Sequence, residues 1–331
     1  MRELIIKGVD SFTTKPFSGN PAGVVTEADG LTDRNMQEIA SDMKLNIVEM
    51  AYVTLPRIDE AAFRVRYFTP SKELDMSGHV TIATAFALIE EGRILLQDGL
   101  TRITFETKIG NTPIEIYFSS SGSASWGGNQ DSVVPLHGVN DGILEKIMMQ
   151  QPIYTFSPSR VPVEEIAEVL GIDPNEITRT GLPIVIGSKD LDWLIIPIHS
   201  KETILNMHPD LIKLGILNKK YGILTNHLFS LDTFDSECIT YSRHFGPAMG
   251  LWEDPASANA SGGLGNYLIT YGVTSSPSMI MQQGKEVDSL ARILVEIGRQ
   301  GDETTSVKVG GLAVTSIVRR IDLESGEIIT V

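Results

Sequence analysis

Cysteine is almost absent from this chain. Cys238 is the only one in 331 residues, which rules out an internal disulfide and fits a reducing compartment. Cys238 lies in a strand-like run reaching Tyr241, and it reads as a small core residue rather than a nucleophile. Basic residues are also scarce. Against 42 Asp and Glu stand 27 Lys and Arg, a formal net charge of −15, and this argues against nucleic acid or an anionic membrane as partner. A small anionic metabolite remains admissible, because a local helix start can outweigh a diffuse negative surface. No apolar run approaches transmembrane length. The opening MRELIIKGVDSF lacks the long apolar core of a signal peptide and reads as a first strand, so a cytoplasmic location is expected. The sequence also lacks a P-loop, a dinucleotide fingerprint, an H-E-x-x-H pair, a paired-cysteine metal site and a G-x-S-x-G elbow. Its six histidines are scattered, none at ligand spacing to another. Nucleotide and metal enzymes are disfavoured, and no cofactor is expected.

What the chain does have is one unusual object, present twice. Residues 243–272 open on a turn-rich cluster (Gly246, Pro247, Gly250, Asp254, Pro255) and become an apolar run of small residues from Ala256 to Tyr271. Gly262, Gly263 and Gly265 stand inside the helix expected here, although each costs about 1 kcal/mol there relative to Ala. Their presence implies close approach of a neighbour or ligand. No charged residue occurs between Asp254 and Lys285, so the helix has no solvated face and is expected to be buried all round. Residues 66–92 repeat the design. Arg66-Tyr67-Phe68-Thr69-Pro70 is echoed by Arg243-His244-Phe245-Gly246-Pro247. Counting back from Gly92 and Gly272 pairs Ser77 with Ser257, Gly78 with Ala258 and His79 with Asn259. The repeat predicts two similar halves, each organised on its own central helix.

Between these helices the chain alternates strand with strand. Strands are expected at Leu4–Phe12, Asn46–Val53 and Ala61–Phe68, with a hairpin across Gly110-Asn111. The low-complexity stretch 119–131 reads as a linker or exposed loop. Asp141–Gln150 and Val163–Leu170 read as helices, the latter with Pro162 at its first position and Gly171 as its stop. Late strands follow, with Val307–Arg319 broken at Gly310-Gly311 and Ile328–Val331 pairing back across Ser325-Gly326. Few helices among many strands indicate α+β rather than a doubly wound parallel sheet. The expected domains are 1–118, completed by a C-terminal strand at 318–331, and 132–317.

The chemistry-bearing groups gather at the two helix starts, where free backbone N–H groups and the positive end of the dipole favour carboxylates. Two such starts facing one cleft would clamp an anionic substrate. His79 and Asp254 would add specific contacts, and Glu49 would sit among apolar neighbours in its strand.

Several segments together resemble the phenazine-biosynthesis PhzF-like family, a branch of the diaminopimelate epimerase superfamily. They are V-D-S-F-T-T-K-P-F-S-G-N-P-A-G-V-V at 9–25, N-I-V-E-M-A-Y-V at 46–53 and R-Y-F-T-P-x-x-E-L-x-x-x-G-H at 66–79. Further on come G-L-P at 181–183, F-x-P-x-x-G-x-x-E-D-P at 245–255, and Gln283-Gly284 with Arg292 downstream. The resemblance spans nearly the whole chain. It implies two domains, each a curved, mostly antiparallel sheet wrapped around one central helix, with the active site in the cleft between them. It also implies a cofactor-free proton shift with Glu49 as acid and base, and it places His79 and Asp254 among the catalytic residues. Ser77, Gly78, Ser257, Ala258 and Asn259 match the substrate-binding helix starts. The epimerase relatives carry a cysteine at each start where this chain has Ser77 and Ser257, so a two-thiol racemisation is not expected. Where the family continues E-D-P with Thr-Gly-Ser-Ala, this chain has Ser257-Ala258-Asn259-Ala260. Extra length falls around 119–150. The implied activity is an isomerase acting on a small carboxylate-bearing metabolite. A hydrolase or lyase with the same acid/base, an epimerase, and a non-catalytic binding protein on the same scaffold remain open, as does a homodimer.

Overall fold

A computed structural model describes residues 3–42, 49–121, 133–188, 192–322 and 328–330. The chain divides into two compact units, Met1–Gln150 with Gly310–Val331, and Gln151–Val309.

The first unit begins with β1 (Glu3–Ser11), β2 (Asn20–Val25), α1 (Asp33–Asp42), β3 (Met50–Thr54), β4 (Phe63–Phe68) and the short β5 (Glu73–Leu74). Then come α2 (Gly78–Glu90), β6 (Gly99–Thr107), β7 (Gly110–Ser119), β8 (Val134–Leu136) and β9 (Gly142–Gln151). Strand β1 pairs antiparallel with β2, β2 runs parallel to β3, and β3 is antiparallel to β4. The sheet continues through the parallel pair β4–β6 and the antiparallel pairs β6–β7 and β7–β9. Helix α1 opens on a reciprocal cap, in which the Thr32 hydroxyl accepts from the Asn35 amide and the Asn35 side chain accepts from the Thr32 amide. Its Met36 and Ala40 pack on Met50, Tyr52 and Phe68. Helix α2 is the centre of the unit. Ten consecutive residues, Val80–Ile89, are buried, and at 100° per residue that run covers every direction around the axis.

Residues 142–151 are a correction. The sequence suggests a helix at Asp141–Gln150, yet Gly142–Gln151 is strand β9. A short apolar run is compatible with either element, and here the partner decides. Strand β7 offers a free edge, and Ile114↔Met149 through Ser119↔Ile143 zip onto it across one bulge. Lys146, buried, lies over the Tyr117 ring at 4.4 Å, a placement no amphipathic pattern signals. This pairing carries the first unit through 132–150, a stretch that the sequence assigns to the second half. Of the 119–131 loop, residues 122–131 lie outside the described residues, as do 46–48 of the strand expected before Met50.

The second unit contains β10 (Thr155–Pro158), α3 (Val163–Leu170), α4 (Asn175–Thr178), β11 (Val185–Ser188), β12 (Trp193–Pro197), α5 (Lys201–Asn206) and α6 (Leu211–Tyr221). It continues with β13 (Thr225–Ser230), β14 (Thr240–Gly246), β15 (Leu251–Asp254), α7 (Ala258–Thr270), β16 (Ser278–Gln283), β17 (Ala291–Gln300) and β18 (Glu303–Gly311). Pro162 is the N-cap of α3, one residue ahead of its expected place. The pairings repeat those of the first unit: β12–β13 parallel, β13–β14 antiparallel, β14–β16 parallel and β16–β17 antiparallel. The final strands β19 (Ala313–Asp322) and β20 (Ile328–Thr330) belong to the first unit, with β19 antiparallel to both β1 and β20.

The internal repeat is physical. Both central helices are 13 residues long, start after Ser77 and Ser257, and stop before a left-handed glycine, Gly92 and Gly272. Arg66 grips Glu73 with two parallel bonds of 2.8 and 3.0 Å, and Arg243 grips Glu253 in the same way at 2.7 and 2.9 Å. Each guanidinium also lies over the phenylalanine two residues on, at 5.1 and 5.0 Å. In α7 the glycines mark close approaches. A Cβ at Gly262 would come 2.8 Å from Val309, one at Gly265 2.6 Å from Val295, and one at Gly263 would overlap the Trp193 ring.

Candidate active site

The named residues fall into two sets, one at each central helix start. In the first unit, Ser77 is the N-cap of α2 in extended backbone, and its hydroxyl makes no capping bond. The Ser77 hydroxyl therefore leaves the first helical amides unconsumed. Gly78 opens the helix without a side chain over those amides. His79 follows, its backbone carbonyl held by the Ser11 hydroxyl at 2.8 Å. The His79 ring lies with Nδ1 3.4 Å from Ser77 Oγ and 3.9 Å from Glu49 Oε2. Glu49 stands immediately before β3, its backbone carbonyl fixed by the Gly23 amide at 3.0 Å. The His79 side chain is 12% exposed and that of Glu49 24%. Oε2 of Glu49 is buried and accepts no hydrogen bond among the described residues. A buried carboxylate oxygen without a donor costs about 1–3 kcal/mol or more. The expected flank Ile47 lies outside the described residues, while Ala51 and Val53 are buried along β3.

The loop from β1 to β2 buttresses this start. Phe12 and Phe17 both adopt φ 65°, a conformation that costs a bulky side chain energy. The buried Asp10 accepts the Phe17 amide at 2.6 Å, and burial raises its carboxyl above the usual range although that hydrogen bond opposes the shift.

In the second unit Ser257 caps α7, again without a side-chain bond. Its amide donates to Gln283 Oε1 at 3.0 Å, and Gln283 Nε2 donates to the Asp254 carbonyl at 2.8 Å. Asp254 itself accepts the Ala256 amide at 3.3 Å, so its carboxylate shapes the turn into the helix. Ala258 is buried, whereas Asn259 is exposed with its carboxamide oxygen accepting from the Tyr154 hydroxyl. Burial raises the Tyr154 phenol, which stays protonated and able to donate.

Sequence reasoning missed Ser11, Gln283 and Tyr154 as parts of these starts. Ser11 and Gln283 fall within the family-like segments, while nothing around Tyr154 marks it. It also passed over His227 and His244. They lie 17 residues apart, yet the β13–β14 register brings them opposite each other with Nδ1 atoms 3.3 Å apart. Cys238 is buried, and burial pushes its thiol up to about 12, so it holds no thiolate at neutral pH. Among the described residues no three His, Cys, Asp or Glu side chains converge as a metal site, and no helix is long and apolar enough to cross a membrane.

Two α+β units, each built on a buried helix whose N-cap side chain makes no capping bond, fall in the diaminopimelate epimerase-like fold class. Within that class the family follows from sequence: residues 9–319 match the model for phenazine biosynthesis-like proteins, PhzC-PhzF. The chain belongs to that family. The Bacillus subtilis protein named Uncharacterized isomerase YfhB is 30% identical over 320 residues, 96% of this chain and 99% of its own length. The crystal structure of the Bacillus anthracis phenazine biosynthesis protein of the PhzF family matches with a TM-score of 0.81 at 31% identity, over 98% of this chain and all of that one. A hydroxyproline epimerase from Agrobacterium vitis shares the fold alone, with a TM-score of 0.62 at 10% identity, over 97% of this chain and 93% of its own. Function in the family is of the isomerase or epimerase type.

Proposed function

We propose that this protein moves a proton between carbons of a small carboxylate-bearing metabolite, without a cofactor, using Glu49 as acid and base. The observation that carries the reading is Glu49 Oε2, buried without a hydrogen bond beside His79 and the uncapped start of α2. A buried carboxylate oxygen that accepts no hydrogen bond, beside helix amides that the Ser77 hydroxyl does not cap, is set up to take a proton rather than to hold the fold. In the step, Glu49 removes a proton from one carbon, the electron pair delocalises toward the substrate, and the same carboxyl returns a proton to another carbon. His79, in contact range of Glu49, orients that carboxyl. The amides at Gly78 and His79 receive the substrate carboxylate, each donor to a charged acceptor contributing about 1.5–3 kcal/mol. Asp254 acts by shaping the entry to α7, where Ala258 and Asn259, following the cap residue Ser257, present a second pair of amides. The named isomerases among the relatives support this reading.

The test is deuterium wash-in from D₂O into a panel of small amino and unsaturated carboxylic acids. Glu49→Gln is expected to retain the fold and binding while slowing exchange by about 10²–10⁴. Exchange at the wild-type rate in that variant would place the base elsewhere. Saturable binding by the wild type with no exchange in any acid would favour a binding protein instead.

A further inference from the structure

The two units repeat one another, so a place where they differ in charge needs its own explanation. Strand β4 pairs Tyr52 with Arg66 and Thr54 with Arg64, while β14 pairs Leu228 with Arg243 and Ser230 with Tyr241. Superimposing the equivalent Arg66–Glu73 and Arg243–Glu253 pairs therefore puts Arg64 on Tyr241. The neighbouring parallel strands put Glu106 on Gln282, and Lys108, two residues further, on Gly284. In the second unit this face of the sheet is covered. Tyr241 and Phe245 pack in a core with residues of α3, α5 and α6, and the Arg243 guanidinium donates to the carbonyls of Ile204 and Met207 at the end of α5. In the first unit, α1 covers Met50, Tyr52 and Phe68, while beyond them lies a concavity of about 320 Å³ lined by Arg57, Arg64, Arg66, Glu73, Glu106 and Lys108, among others. It sits at a fork, where β4 leaves β6 after Arg64↔Glu106 and takes up β5 at Tyr67↔Leu74. Side chains alternate along a strand. Tyr67 bonds Thr81 of α2 on one face, so Arg64 and Arg66 stand on the other, away from the central helix.

The hydrogen-bonding inventory of the concavity is lopsided. Both oxygens of Glu73 are engaged by Arg66, which also reaches Asp33 at 2.6 Å. Glu106 accepts the backbone amide of Arg57 at 2.6 Å, and Lys108 pairs with Asp75 at 2.7 Å. Donors are in surplus. Arg64 makes a single ion pair, 3.5 Å to Glu106, and the Arg57 guanidinium makes no hydrogen bond or ion pair among the described residues. Burial and the like charges of Arg57 and Arg66 hold Arg64 below the ordinary arginine range. In a chain of net charge −15, this is a pocket of guanidinium donors short of acceptors. We propose that it is a second binding site, taking a small dianion with clustered oxygens, such as a phosphate monoester or dicarboxylate, bridged by Arg57 and Arg64. The planar forks of two arginines match such an oxyanion in geometry as well as charge.

Calorimetric titration at low ionic strength tests the site, with inorganic phosphate and succinate as probes. A saturable isotherm is expected for at least one of them, phosphate alone pointing to a phosphate ester and succinate to a dicarboxylate. Arg57→Gln and Arg64→Gln should each weaken it about tenfold or more, the loss of one charged hydrogen bond. Arg57 is exposed, so its variant should melt like the wild type without ligand even if Arg64→Gln folds poorly. Arg57→Gln should keep the wild-type rate of deuterium wash-in, which separates this site from the proposed reaction. Absence of saturable heat with both probes, or isotherms unchanged in Arg57→Gln, would overturn the proposal.

Discussion

Asn259 presents a carboxamide where the family resemblance places a serine, and the structure shows what engages it. The Tyr154 hydroxyl approaches the Asn259 carboxamide oxygen, its backbone carbonyl at 3.1 Å and Gln151 Oε1 at 3.4 Å. Tyr154 is itself wedged edge-on against Trp193, with ring centroids 6.0 Å apart. With the oxygen occupied, the amide offers N–H donors at the start of α7, where a serine would offer one smaller group that both donates and accepts. That difference acts on selectivity rather than on the fold. The unmodified chain is expected to turn over the phenazine precursor, a dihydro-hydroxyanthranilate, poorly, and Asn259→Ser to raise that turnover. The Tyr154 hydroxyl keeps two acceptors in the variant, so its melting temperature should stay within a few degrees of the wild type. Equal turnover by the two proteins would show that the substitution does not set the preference.

The central helices show which elements the sequence reveals. Helix α7 was legible because the absence of charge from 255 to 284 leaves it no solvated face, and its glycines signal contact. The structure supplies the contact at Gly263, against the Trp193 ring. Gly263→Ala is thus a test of that packing. Helix propensity alone would stabilise by about 1 kcal/mol, but a methyl forced against a buried indole costs about 1–3 kcal/mol. The net expectation is a lower denaturant midpoint with an unchanged slope, whereas a stabilised variant would show that the ring yields. The helix starts were legible too, because counting back from two terminating glycines aligns Ser77 with Ser257. Strand β9 was not, since GILEKIMMQQ fits either period and its pairing with neighbouring strands, β7 foremost, chooses between them. Nor were Tyr154 and the His227–His244 pair. Tyr154 acts through contacts with Asn259 and Trp193, and the histidine pair through the β13–β14 register, neither of which local periodicity encodes. The concavity at Arg64 was invisible for a related reason. Its meaning lies in the covering helices that the second unit has and the first lacks.

Across the whole molecule the repeat makes the two units differ in their response to acid. The positions of His227 and His244 correspond, by strand register, to Ala51 and Tyr67 of the first unit. Both histidines are buried, and Nε2 of His227 has no hydrogen-bond partner among the described residues. Burial holds both below the usual 6.5, His227 well below it with the charge of His244 adding to the effect, while Asp254 and Glu253 partly restore His244. A histidine with a depressed folded-state pKa is neutral in the fold but takes a proton in the unfolded chain below about 6.5. The unfolded state then binds more protons, so stability is full above that pH and is lost as pH falls beneath it, by at most about 1.4 kcal/mol per pH unit for each histidine. Asp10 of the first unit acts in the opposite sense. Its raised carboxyl binds a proton more readily in the fold, so its effect is to favour the folded state as pH falls, in a window extending upward from 3.8. Acid lability is therefore expected to reside in the second unit. Hydrogen exchange compared at pH 7.5 and 5.5, corrected for intrinsic rates, should show protection of α7 falling more than that of α2. The double substitution His227→Ala and His244→Tyr installs the first unit's residues, and Ser261 then stands where Thr81 receives the Tyr67 hydroxyl. That variant should flatten the difference between the helices. Equal loss of protection in α2 and α7 in the wild type, or an undiminished difference in the double variant, would show that the acid response has another origin.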